Sequence, residues 1–410
     1  MKKFLSISKY FLMSILLFLS AVSLDTDPAD NSAAPFGSFL DDQGDDRPAE
    51  ADVPSGGEDS DGSSELSDEE NTSGEDEQKA SMYYYSLLDE GEKEYYDKIN
   101  EAAAAEDPSV SLSGITNEEI DKIFTSVQND HPEYFWLEGS YSYRSIAGYV
   151  ELTFNYNCTG DEKESRKNII EQQAEEILSG APSDGRDYDK VKYVFDTLVD
   201  RTEYDLEAPE NQNIYSVFGN WSTVCAGYAK ATKYLLDQMG VECIYVSGNA
   251  EGEAHAWNIV GCDGQYYCVD TTWGDPTYQE GIGVDVDTVS YEYLCCPDEM
   301  LSRTHTADSM FELPACTDTS LEYYRLQGRY LESSDQETIM DIMKADIDNG
   351  LEQTDIQFST PDIYNQVMSQ FGSILQRAMQ YEENSAGRDS DSVSYQYNEN
   401  SCVITVFWNA

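Results

Sequence analysis

Three strings decide how this chain is read: VCAGYAKA at Val224–Ala231, EAHAWNIV at Glu253–Val260 and YYCVDTTWGDP at Tyr266–Pro276. The last two are short apolar runs separated by Asp263-Gly264, a dipeptide suited to a two-residue hairpin turn. With that turn Cys262 faces Gln265 and Trp257 faces Asp270. His255 and Asp270 then share one sheet face as diagonal neighbours, about 7–8 Å apart at the backbone and within side-chain reach. A three-residue turn would put them on opposite faces. The same register separates Cys262 from Cys268, which argues against a bridge between them. The first string opens an apolar-periodic segment ending at Gly240, which reads as a helix with Cys225 at its start.

These three residue types in this order have a chemical logic. A thiol at a helix N-terminus gains thiolate stabilisation from unpaired amides and the helix dipole. An imidazole can pair with it, and a carboxylate on the other ring nitrogen fixes the tautomer. The chain has three histidines, His131, His255 and His305, and the sequence gives such company to His255 alone. The blander alternatives are a buried structural cysteine, the commoner fate of a lone one, and a structural His-Asp pair.

The strings VCAGYAKA, HAWNIV and VDTTWGDP resemble the transglutaminase-like superfamily, whose Cys-His-Asp arrangement is shared with papain-like cysteine peptidases. The likeness is closest to exported bacterial proteins of this type, in which C-x-G-Y, H-A-W-N and D-x-T-W follow in this order. It is specific over Tyr188–Pro276, and DHPEYFW and the closing strand resemble the flanks of such proteins more weakly. The resemblance implies an α+β fold, with a Cys-bearing helix packed on an antiparallel sheet that bears His and Asp, and helical flanking regions. It also implies Cys225 as nucleophile, His255 as base and Asp270 as its orienter, with protein or peptide amide bonds as substrate. The Cys225 amide is one oxyanion donor to expect; Tyr215 and Trp221 are further candidates, although plain core is the commoner role for either aromatic.

Composition narrows the setting. With 24 basic against 80 acidic side chains the formal charge is -56, which repels phosphate backbones and anionic lipids and disfavours nucleic-acid binding. Lys2, Lys3 and Lys9 precede an apolar stretch from Tyr10 to Val22, short of the roughly 20 residues a span needs. Ala21 and Ser23 suit cleavage before Leu24, so a signal peptide is expected over residues 1–23, an uncleaved anchor being the alternative. The expected location is secreted or at the cell surface, with no stable membrane span after cleavage. Residues 24–80 are rich in Asp, Glu, Ser, Gly and Pro and are expected to form an acidic disordered linker, either a stalk or a solubilising tail.

Nine cysteines, with Cys225 set aside as a free thiol, leave eight that could pair. Adjacent Cys295 and Cys296 are poorly placed to bond each other. No paired CxxC is present and histidines are scarce, so no metal and no cofactor is expected.

Ordered structure is expected from about Ser81, in three regions: an N-terminal helical and mixed region over 81–185, the core over 186–300 and a C-terminal α+β region over 301–410. One amphipathic helix is expected across Ser81–Glu106, and a second near Ile115–Pro132 with Thr116 or Asn117 as its cap. Alternation at Tyr149–Asn157 reads as a strand. Helices follow at Arg166–Leu178, Asp187–Asp205, Glu337–Gly350 and Asp362–Gln380, and Cys402–Trp408 closes the chain as a buried strand. The reading from a different class is a non-catalytic module that keeps the fold and binds proteins or glycans at the cell surface.

Overall fold

The computed structural model describes residues 82–146, 148–275, 289–385 and 393–408. The expected signal peptide and acidic linker lie outside them. The chain divides into two compact units at Thr159/Gly160.

The first unit holds α1 (Tyr83–Ser86), α2 (Glu90–Ala104), β1 (Ser109–Ser113), α3 (Asn117–Asp130), β2 (Leu137–Ile146) and β3 (Tyr149–Tyr156), with the strands in the antiparallel order β1-β3-β2. The single helix expected at Ser81–Glu106 is instead two. Asp89 accepts from the Glu92 amide while Glu92 reaches back to Asp89, a capping box that restarts the helix after a turn. Asp130 accepts from the amides of Tyr84 and Tyr85 and from the Tyr96 hydroxyl, which fixes the short first helix against the others. Thr116 caps α3 through the same device with Glu119.

The second unit opens with α4 (Gly160–Ser179), α5 (Asp187–Arg201), β4 (Glu203–Tyr204), α6 (Ile214–Asn220), β5 (Ser222–Thr223) and α7 (Cys225–Gln238). Next come β6 (Cys243–Ala250), β7 (Glu253–Cys262), β8 (Gln265–Val269), β9 (Leu294–Cys296), α8 (Asp298–Leu301) and β10 (His305–Ala307). The strands β10-β6-β7-β8-β9 form one antiparallel sheet, and β4 pairs with β5. Asp263 and Gly264 both take positive φ, and Cys262 pairs with Gln265, the two-residue turn expected. The unit that holds the core expected over 186–300 also holds elements on either side of it. Helix α4 belongs to it, since Arg166 pairs with Glu210 and covers the Tyr215 ring. At the other end β10 completes the sheet by pairing His305 with Ala250.

The remainder is α9 (Tyr323–Leu326), β11 (Tyr330–Leu331), α10 (Gln336–Asn349), β12 (Gln353–Phe358), α11 (Pro361–Ser385), β13 (Ser394–Asn398) and β14 (Val403–Phe407). The sheet β11-β12-β14-β13 carries a core of Ile339, Met343, Phe371, Leu375, Val406 and Trp408 with α10 and α11. The helices expected at 337–350 and 362–380 and the closing strand are these elements. Among the described residues no helix is long and apolar enough to cross a membrane.

Helix α7 approaches the sheet closely because its inner face is small: Ala226 and Ala229 pack with Ala256 and Tyr245. Gly227 shows how little clearance remains. A Cβ there would lie 1.9 Å from Thr223 Oγ1, and Thr223 is held by Ser216 and the Asn211 carbonyl. Alanine would gain about 1 kcal/mol in helix propensity, but overpacking a tight core costs about 1–3 kcal/mol or more. We therefore expect Gly227→Ala to lower the melting temperature by several degrees; an unchanged or raised value in thermal denaturation would contradict this packing argument.

Candidate active site

The thiol is set by the start of α7. Val224 at the N-cap offers no side-chain acceptor and the first turn has no acidic residue, so the positive helix end is not neutralised. Cys225 is half-buried, the other eight cysteines are buried, and no disulfide is formed. His255 lies on β7, one strand in from the edge pair β6-β10, with its side chain 8% exposed. Two contacts fix the helix on the strands: Asn258 donates to the Ala229 carbonyl at 2.9 Å, and Thr232 bonds Thr271 at 2.9 Å.

Asp270, the residue after β8, is fully buried, and donors surround it. His255 Nε2 lies 2.7 Å and His305 Nε2 3.1 Å from Oδ2, while the Trp273 amide donates to Oδ1 at 3.1 Å. With Nε2 of His255 spent on the carboxylate, Nδ1 is the nitrogen left for Cys225, which lies near enough to raise the pKa of this ring. Burial pulls the His255 pKa down, but the charge and hydrogen bond of Asp270, with the same from Cys225, push it up to about 10. Asp270 shows the converse balance: burial raises it, yet His255 and His305 hold it well below the usual carboxylate range. The imidazolium–carboxylate pair is thus the favoured state at neutral pH.

His305 is the residue that sequence reasoning missed. It lies 35 residues beyond Asp270 on a three-residue strand, and nothing local marks it except that it is one of only three histidines. Its Nδ1 bonds the Thr304 hydroxyl at 2.8 Å, and its ring, fully buried, packs on Trp257, Trp273 and Tyr293. His255 is therefore not alone in its company. The nitrogens of both histidines and the carboxylate lie within 4.8 Å of one another; with both Nε2 atoms donating to one oxygen, the trio is satisfied by hydrogen bonds. His131 sits in the other unit, bonded to Glu133.

The two aromatic oxyanion candidates have their amides engaged. Tyr215 N donates to Asn213 Oδ1 at 2.8 Å and Trp221 N to the Val217 carbonyl at 2.7 Å, while their rings carry Arg166 and Arg201. Tyrosines close enough to feel the Cys225 charge are Tyr204 and Tyr245. Burial first, then Cys225, Glu253 and Asp270, push the Tyr204 phenol up to about 12; Tyr245 is raised by burial and Cys225. Neither lies in the three strings that drew attention in the sequence.

Residues 171–271, which contain Cys225, His255 and Asp270, match the sequence profile of the transglutaminase-like superfamily. The match is to this segment, a transglutaminase-like domain, and the mixed helix-and-sheet fold around it is the one expected. Over 158 residues it is 26% identical to kyphoscoliosis peptidase of Mus musculus and 25% identical to that of Homo sapiens, covering 34% of this chain. The chain spans only 22% of the length of those relatives. It is also similar to a solved structure of a TGase, at 19% identity over 35% of this chain and 47% of that one, with a TM-score of 0.25.

Proposed function

We propose that this protein is a cysteine-dependent acyltransferase or peptidase acting on amide bonds of proteins or peptides, with Cys225, His255 and Asp270 as its triad. The observation that carries the reading is the thiol at an uncapped helix start beside an imidazole whose Nε2 is 2.7 Å from a buried carboxylate. The Cys225 sulfur attacks the amide carbonyl carbon, and the C=O π pair moves to oxygen. On collapse the C–N bond breaks, His255 gives its proton to the departing amine, and a thioester remains. Water or a second amine then attacks the thioester, His255 takes a proton from it, and Cys225 leaves as thiolate. Water gives proteolysis or deamidation; an amine gives a cross-link. On this reading the Cys225 amide, at the positive end of α7, is the expected oxyanion donor.

The assay is purified protein with a glutamine-containing peptide, with and without a labelled primary amine, followed by mass spectrometry. Amine incorporation, side-chain deamidation or backbone cleavage each supports the reading and names the acceptor. No product and no thiol labelling by an electrophilic peptide would leave the fold serving as a protein- or glycan-binding module.

The basic and apolar start of the chain supports export to the cell surface or medium. N-terminal sequencing of extracellular protein should begin near Leu24; full-length chains confined to the cytoplasm would contradict export.

A further inference from the structure

Three further donors meet on the far end of β8 from its turn. Cys268 is on the strand, Asp298 opens α8, and Cys316 lies in the segment beyond β10, so they are 30 and 18 residues apart and no short motif joins them. Their donor atoms all lie within 4.8 Å of one another. We propose that Cys268, Asp298 and Cys316 bind a thiophilic divalent cation, zinc by preference.

The distances fit. A tetrahedral ion with bonds of ~2.3 Å to sulfur and ~2.0 Å to oxygen holds a sulfur and an oxygen about 3.5 Å apart. Cys268 Sγ is 3.6 Å from Asp298 Oδ1. The cluster is also oriented from outside, as the supporting contacts of metal ligands are. Asp298 Oδ2 accepts the Cys316 amide at 2.7 Å, and the Asp298 amide donates to the Cys316 carbonyl at 2.8 Å.

Charge points the same way. Both thiols are fully buried; the Cys268 thiol donates to Asp298 Oδ1 at 3.6 Å and the Cys316 thiol to the Pro314 carbonyl at 3.8 Å. Among the described residues no basic side chain is ion-paired to Asp298. A cation supplies the missing positive charge: two metal–sulfur bonds and one metal–oxygen bond form, and two protons leave to solvent. A solvent molecule completes the coordination. A disulfide between the same thiols would give the carboxylate no role.

The ion would fasten the strand that leads into Asp270 to the segment that contains His305. The test uses the full-length protein, purified reduced, titrated with Co²⁺ and then Zn²⁺. The expected result is a near-ultraviolet thiolate-to-cobalt charge-transfer band that Zn²⁺ abolishes, with a melting temperature raised by several degrees and lowered again by a chelator. Cys268→Ser and Cys316→Ser should abolish the band, Asp298→Asn should weaken binding at least tenfold, and His255→Ala should leave it intact. Asp298→Asn removes no buried thiol, so it decides the matter if the serine variants fail to fold. A protein that shows no band, a band that survives loss of both thiols or moves with His255, or a Cys268–Cys316 disulfide in anaerobically isolated protein would overturn the site.

Discussion

Cys225→Ala is expected to abolish acyl-enzyme formation altogether while leaving the fold in place. The side chain is half-buried at a helix start, where alanine fits the space and the helix. Cys262 provides the contrast. It is fully buried and its thiol is pushed up to about 12, first by burial and then by Asp187 and Asp263, so Cys262→Ala should leave labelling nearly intact. The measurement is intact-mass detection of an electrophilic peptide adduct, with circular dichroism as the check on folding. An adduct that persists in Cys225→Ala would move the nucleophile elsewhere.

Asp270→Asn should slow turnover by about 10³–10⁴-fold, because an amide neither fixes the tautomer nor stabilises the imidazolium. The pH dependence separates this role from a purely structural one. His255 is raised to about 10 against burial by Asp270 and Cys225. Its proton should therefore stay available to the leaving amine until pH approaches 10, and the alkaline limb of the wild-type profile should fall there. In Asp270→Asn burial dominates and that limb should move to lower pH. Stability follows from the same shifts. The raised His255 contributes fully below the ordinary imidazole value, and this contribution is lost as pH rises through about 10. The depressed Asp270 contributes above the ordinary carboxylate range, and this is lost as acid protonates it. An alkaline limb unchanged in the variant would show that Asp270 does not set the charge state of His255.

Local chemistry made the hairpin, the start of α3 and the end of α7 readable. Asp263-Gly264 demands positive φ and so sets the register, Thr116 with Glu119 writes its own cap, and Gly240 takes the left-handed conformation just past α7. What stayed hidden depends on segments far apart in the chain. His305 reaches Asp270 only because β10 returns to β6. Cys268, Asp298 and Cys316 show no regular spacing, and Tyr204 stands on a two-residue strand with no pattern to detect. The break after α1 was missed for another reason: the apolar spacing runs straight through Leu87 and Leu88, and only the Asp89–Glu92 pair marks the restart.

The return of β10 also has a consequence in time. Helix α7 and the hairpin of β7 and β8 are local and can form early, whereas the contact of His305 with Asp270 requires closing a long intervening segment, a slow and entropically costly step. Reactivity should therefore lag behind secondary structure during refolding. Stopped-flow ellipticity should recover before Cys225 becomes labelled by an electrophile, and simultaneous recovery would show that the thiol matures without β10.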